Sequence, residues 1–157
     1  MIKTNSESKS MKSPNQMTGL ELMQAFQQGL VPAPGIAKTM GMDGVGEVEF
    51  GRIVFIATAD ERHTNPLGGV HGGFAATVLD SVTGCATHTV LAAGEGYGTT
   101  DLAIKMCRPM PFNKKLIAEG KVINVGKNLV ISEGYLRDEE GKLYAHATAT
   151  NMIIRQK

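Results

Sequence analysis

From Phe74 to Ala93 the chain is mostly apolar, contains no proline and is interrupted only by Gly84. That stretch is too long for a strand, and it predicts one well-buried helix. Four strand-like runs follow, at about 99–108, 115–125, 129–137 and 143–154. The polar and glycine-rich connections between them are short, which predicts antiparallel neighbours. In the last run Leu143, Ala145, Ala147 and Ala149 share one face by the period of two. Side chains that small let a helix approach the sheet closely.

Upstream, two β-branched runs, Val45–Glu49 and Ile53–Thr58, flank Phe50-Gly51 and predict a hairpin. Thr18-Gly19-Leu20-Glu21 is a capping-box pattern ahead of Leu22, Met23, Ala25 and Phe26, so a short helix is expected to reach Gly29, where Val31-Pro32-Ala33-Pro34-Gly35 stops it. Residues 1–17 are rich in Ser, Asn and Lys and predict a disordered tail. The glycine cluster Gly94–Gly98 follows a helix and precedes a strand, the reverse order of a dinucleotide-binding loop, and reads as a turn. The whole is an α+β chain with one domain, 18–157, built on a long hydrophobic helix wrapped by an antiparallel sheet.

Composition narrows the function. The 157 residues are 42% hydrophobic and only 5% aromatic, with no Trp, so the core is aliphatic and no aromatic platform for single-stranded nucleic acid is expected. No apolar run is long enough to span a bilayer and the N-terminus lacks a signal-peptide pattern, which predicts a cytoplasmic protein. Cys85 and Cys107 lack CxxC spacing and any nearby His/Cys cluster and read as two buried thiols, so neither a disulfide framework nor a zinc site is expected; no metal or other cofactor is part of the expected chemistry. Charge is uneven: residues 102–157 carry 10 basic and 5 acidic side chains, whereas residues 1–101 carry 6 and 10. A basic third suits either a solvated face or an anionic ligand. His63, His88 and His146 stand alone in the sequence and read as surface or satisfied core histidines, and Met106 and Met110 are candidates to line a tunnel.

The chemistry-bearing segment is Asn65-Pro-Leu-Gly-Gly-Val-His71-Gly72-Gly73, with Asp80 inside the predicted helix. Gly72 and Gly73 fall where the helix begins, and bare backbone N–H groups at a helix start favour an anion or an oxyanion. A lone carboxylate in so apolar a helix is costly unless partnered or functional. A tight glycine turn and a satisfied structural aspartate account for the same residues, and spacing alone does not choose. Eight steps at ~1.5 Å put Gly72 and Asp80 ~12 Å apart, while groups acting on one centre lie within roughly 3–3.5 Å of it. Two antiparallel copies of the helix across a twofold would bring the start of one to the middle of the other. An obligate homodimer follows if both groups act.

Asn65, His71-Gly72-Gly73, Asp80, Thr99 before Asp101, Arg108-Pro109 and Gly126-Lys127 together resemble the hotdog-fold acyl-CoA thioesterases of the phenylacetate-degradation (PaaI-like) type, over about residues 36–155. The resemblance implies hydrolysis of an acyl-CoA thioester, with CoA as part of the substrate, in a homodimer or dimer of dimers. It implies that the Gly72 N–H polarises the thioester carbonyl, assisted by Asn65, beside Gly73. It implies further that Asp80 of the facing subunit acts as base or nucleophile, and that Thr99, where some relatives have Ser, helps hold water. His71 would fix the loop, contact the sulfur or be structural, and Gly126, Lys127 and Asn128 would line the nucleotide end of CoA. Two other functions compete. A hotdog hydratase or dehydratase needs a paired acid and base, for which His71 and Asp80 are the only nearby candidates. A non-catalytic acyl-CoA-binding protein gains nothing from an unpaired buried acid.

Overall fold

The computed structural model describes residues 12–155. Two short helices, α1 (Gly19–Gln27) and α2 (Gly35–Thr39), precede the hairpin β1 (Met42–Glu49) and β2 (Arg52–Thr58). The long helix α3 (Gly72–His88) leads into β3 (Glu95–Met106), β4 (Lys115–Val125), β5 (Leu129–Asp138) and β6 (Leu143–Arg155). All pairings are antiparallel, in one six-stranded sheet ordered β1-β2-β4-β5-β6-β3. One long helix on a curved antiparallel sheet is the hotdog fold.

The helix lies close to the sheet because the sheet is lined with small residues beneath it. Ala118, Ala145, Ala147 and Ala149 are buried under α3, with Gly120 and Gly134 in the same layer. A Cβ on Gly120 would sit 2.2 Å from the Val82 carbonyl oxygen, and one on Gly134 would sit 2.9 Å from Thr83 Cγ2. Phe74, Val78, Leu79 and Val82 complete the core from the helix side, opposite Ile53, Leu116 and Leu136. The capping box of α1 forms: Glu21 N–H donates to Thr18 Oγ1 and Thr18 N–H to Glu21 Oε2. The start of α1 abuts the end of α3 so tightly that a Cβ on Gly19 would overlap the His88 carbonyl.

Several expectations are corrected. Helix α3 begins at Gly72, as expected, with His71 as its cap, but it ends at His88 rather than Ala93. Thr89 closes it, its hydroxyl donating to the Ala86 carbonyl while accepting from Gly51 N–H. The glycine cluster is a turn only at Gly94, with φ +80°; Glu95 to Gly98 already belong to β3, paired with Arg155 to Met152. Helix α2 was not foreseen. Of the expected tail, residues 1–11 lie outside the described residues, while Pro14–Gln16 form a 3-10 turn and Met17 is buried. Cys107 is exposed, not buried, whereas Cys85 is half-buried and packs against the core. Among the described residues no helix is long and apolar enough to cross a membrane, and no three His, Cys, Asp or Glu gather as a metal site.

Candidate active site

The start of α3 is fixed by two histidines. His71 is its N-cap, and its Nδ1 accepts the Gly73 N–H at 2.8 Å. His71 N–H in turn donates to the His63 carbonyl at 2.7 Å. His63 is a satisfied core histidine: Nδ1 accepts from Asp60 N–H, Nε2 bonds the Thr39 carbonyl, and the ring leans on Phe74. Of the two glycine amides, Gly73's is therefore engaged within the chain. The Gly72 N–H has no acceptor among the described residues and sits at the positive end of a 17-residue helix.

Asn65 builds the loop that delivers this amide. Its Oδ1 accepts from Leu67 N–H at 2.9 Å and Gly69 N–H at 3.1 Å, while Nδ2 reaches the Val70 carbonyl at 3.4 Å. The Asn65 oxygen is thus occupied, and the Nδ2 group alone remains for any contact with substrate. Gly68, at φ +82°, supplies the left-handed position the loop needs.

Asp80 and Thr99 meet across α3 and β3, with Thr99 Oγ1 donating to Asp80 Oδ1 at 3.0 Å. A bulge at Thr100 lets Thr99 face the helix while Asp101 pairs with Thr150. Behind this pair is a residue that sequence reading missed. Asn151, fully buried on β6, places Oδ1 3.2 Å from Thr99 Oγ1. The signal in the sequence is the period of two, which puts Asn151 on the same face as Ala145, Ala147 and Ala149.

Asp80 and Thr99 stand at one side of a cavity of about 550 Å³ lined by Met23, Phe26, Ile53 and Phe55, with Ser81, Cys85 and Tyr97 on the α3 side. Burial pushes the Cys85 thiol up to about 11 and the Tyr97 phenol further up. The Tyr97 ring crosses α3 at Gly84, where a Cβ would sit 2.6 Å from its hydroxyl. Gly72 lines a separate groove of about 320 Å³ with Val70, Met106, Cys107, Arg108, Pro109 and Met110. Met106 and Met110 thus border the groove at Gly72, not the cavity at Asp80. No residue lines both.

Gly126, Lys127 and Asn128 form the β4–β5 turn, closed by Gly126 N–H to the Leu129 carbonyl. Arg155, which the sequence reading also passed over, pins it by donating to the Lys127 carbonyl at 2.9 Å and to Asn128 Oδ1 at 3.4 Å. The Lys127 side chain is exposed. The remaining histidines take structural places. His146 Nε2 lies 3.6 Å from Glu133 on the far face of the sheet. His88 differs from expectation in that its buried Nδ1 has no partner, and burial lowers its pKa.

Residues 67–145, which carry the His-Gly-Gly start of α3, Asp80 and Thr99, match the family model described as thioesterase superfamily. The chain belongs to the thioesterase superfamily. It is similar to a Saccharolobus solfataricus protein that carries an esterase name, at 33% identity over 110 residues, 70% of this chain and 77% of that one. It is also similar to acyl-coenzyme A thioesterase 13 of Mus musculus, at 29% identity over 95 residues, 60% of this chain and 67% of the relative. Among solved structures, a phenylacetic acid degradation-related protein from Ralstonia eutropha superposes with a TM-score of 0.75 at 30% identity, covering 83% of this chain and 98% of that one. This thioesterase is a thioester hydrolase.

Proposed function

We propose that this thioesterase hydrolyses acyl-CoA thioesters at a site shared by two copies of the chain. The carrying observation is the separation of two half-sites: an unpartnered Gly72 N–H in one groove and the Asp80–Thr99 pair in another cavity, eight residues further along the same helix. A second copy facing the first brings the halves together twice. β3, an edge strand of 12 residues, is the element through which a second copy can add its own β3.

In the reading we favour, the Gly72 N–H holds the thioester oxygen as negative charge develops on it, with the helix start behind it. Asp80 of the facing copy takes a proton from the attacking water, which Thr99 helps to orient. The acyl group occupies the apolar cavity beside Asp80, a volume suited to a sizeable apolar group. The exposed Lys127 and its turn meet the phosphates of CoA. The curated relatives named for acyl-coenzyme A thioesterase activity support the CoA ester as substrate class. His71 is a helix cap here, its Nδ1 engaged by Gly73, so only its Nε2 is left for proton transfer in the hydratase alternative.

The test is hydrolysis of a panel of CoA esters, followed with a thiol-detecting reagent, for the parent and Asp80→Asn. The parent is expected to turn over apolar acyl esters, and the Asn variant to lose at least ~100-fold in kcat while keeping ligand affinity. An Asn variant working at the parent rate would reassign Asp80 to structure.

A further inference from the structure

Asn151 is fully buried on β6 between the sheet and α3. Its Nδ2 donates to Thr87 Oγ1 on α3 at 2.9 Å and to Ser132 Oγ on β5 at 3.2 Å. Those two bonds hold the amide plane, and they aim Oδ1 at Thr99 Oγ1, 3.2 Å away on β3. A buried amide is costly unless its groups are paired, and here hydroxyls from three elements converge to pair it. A position that only filled space between helix and sheet would be served by an apolar residue, as it is at Ala145, Ala147 and Ala149 on the same face.

The chemical point is a mismatch of count. The Thr99 hydroxyl has one proton and two acceptors in range, Asp80 Oδ1 at 3.0 Å and Asn151 Oδ1 at 3.2 Å. It can serve one at a time. We propose that Asn151 is a positioning residue for thioester hydrolysis, providing the second acceptor that lets Thr99 switch from donating to Asp80 to accepting from it.

The inference rests on the reading of Asp80 as base. Before reaction, Thr99 donates to the Asp80 carboxylate. As the water oxygen bonds to the thioester carbon, one water O–H breaks and its proton passes to Asp80. The Thr99 hydroxyl then rotates its own proton onto Asn151 Oδ1, breaking no covalent bond, and its lone pair accepts the new Asp80 O–H. When the C–S bond breaks, the departing CoA thiolate takes that proton and Thr99 turns back. Without the Asn151 oxygen, Thr99 can accept from Asp80 only by leaving its proton without a fixed partner.

The experiment is a double-mutant cycle of Asn151→Leu with Thr99→Val, read as kcat and KM separately on one CoA ester. Asn151→Leu is expected to lower kcat about 3- to 10-fold, the worth of one hydrogen bond in the transition state, with KM within about twofold. In the Thr99→Val background the same substitution is expected to cost nothing further, because the switch is already gone. Losses that multiply, or a loss confined to KM, would overturn the proposal. If Asn151→Leu does not fold, Thr87→Val combined with Ser132→Ala leaves the amide in place but unaimed, and the same cycle applies with the same two readings. Asp80→Asn separates the failures. Full activity in that variant would bring down the base itself, whereas an inactive Asn variant beside an unaffected Asn151→Leu would bring down this inference alone.

Discussion

Complementation between two inactive variants tests the shared site most directly, and the structure makes one of them unusually clean. Gly72 is the first residue of α3, a position where proline is well accommodated because the missing N–H has no intrahelical acceptor. His71 before it has φ −67° and ψ 136°, the extended conformation that a following proline requires. A side chain at residue 72 meets only the flexible tip of Met106, with a Cβ 3.4 Å from Cε. Gly72→Pro therefore removes the free N–H and little else, and it is expected to lower kcat by ~10²–10³, as loss of an oxyanion donor does. Asp80→Ala removes the base on the other half-site. In a 1:1 mixture that exchanges freely, about half the dimers are mixed and each mixed dimer has one site with both lesions and one with neither. About a quarter of all sites recover, so the mixture is expected to exceed either variant alone by roughly 25-fold or more against a ~10²-fold defect. Two different affinity tags allow mixed dimers to be isolated, and these should show about half the parent kcat. Verified mixed dimers that remain as inactive as their parents would refute the shared site and confine Asp80 to its own subunit.

Three further outcomes follow from particular residues. Native protein is expected to show one fast-reacting thiol, the exposed Cys107, because a Cys85 thiol held at about 11 has roughly one part in a thousand as thiolate at pH 8; two fast thiols in a stopped assay would contradict its burial. His71→Ala removes the acceptor of the Gly73 N–H and is expected to cost ~0.5–2 kcal/mol in denaturant unfolding as well as activity, so an unchanged midpoint would show that the cap carries no stability. Lys127→Glu is expected to raise KM for CoA esters far more than for a pantetheine thioester, with the difference shrinking at high salt; equal effects would show that the exposed lysine does not sense the nucleotide end.

The long helix, the hairpin and the four antiparallel strands were legible because each rests on a local period, and the short connections left few ways to pair them. What sequence did not reveal depends on contacts between distant residues. Nothing near Gly94 says that Glu95 to Gly98 will pair with the end of β6, so flexible glycines in a strand read as a turn. Asp80 and Thr99 could be named from their motifs, but their partner Asn151 lies 52 residues beyond Thr99, and the period of two that puts it on the apolar face does not say which side chain it meets. His71 was readable as part of a motif and not as a cap, since capping is decided by the rotamer that brings Nδ1 to Gly73. Asn65 shows the same limit, because its loop-building bonds all depend on the backbone path of Leu67 to Val70.

The glycine and alanine floor beneath α3 has a consequence for how such an enzyme can diversify. A side chain at Gly120 would run into the Val82 carbonyl and one at Gly134 into Thr83, so neither glycine can grow without displacing α3, the helix that carries Asp80. The face toward the sheet is closed to change. The cavity beside Asp80 is also lined by Met23, Phe26 and Ile36 on the two small helices before the hairpin, none of which takes part in the Asp80–Thr99–Asn151 hydrogen bonds. With the acyl group in that cavity, as proposed, selection for a new acyl group has one direction open to it, the two N-terminal helices, and a substitution there is expected to change substrate preference while leaving the Asp80–Thr99 pair as it is.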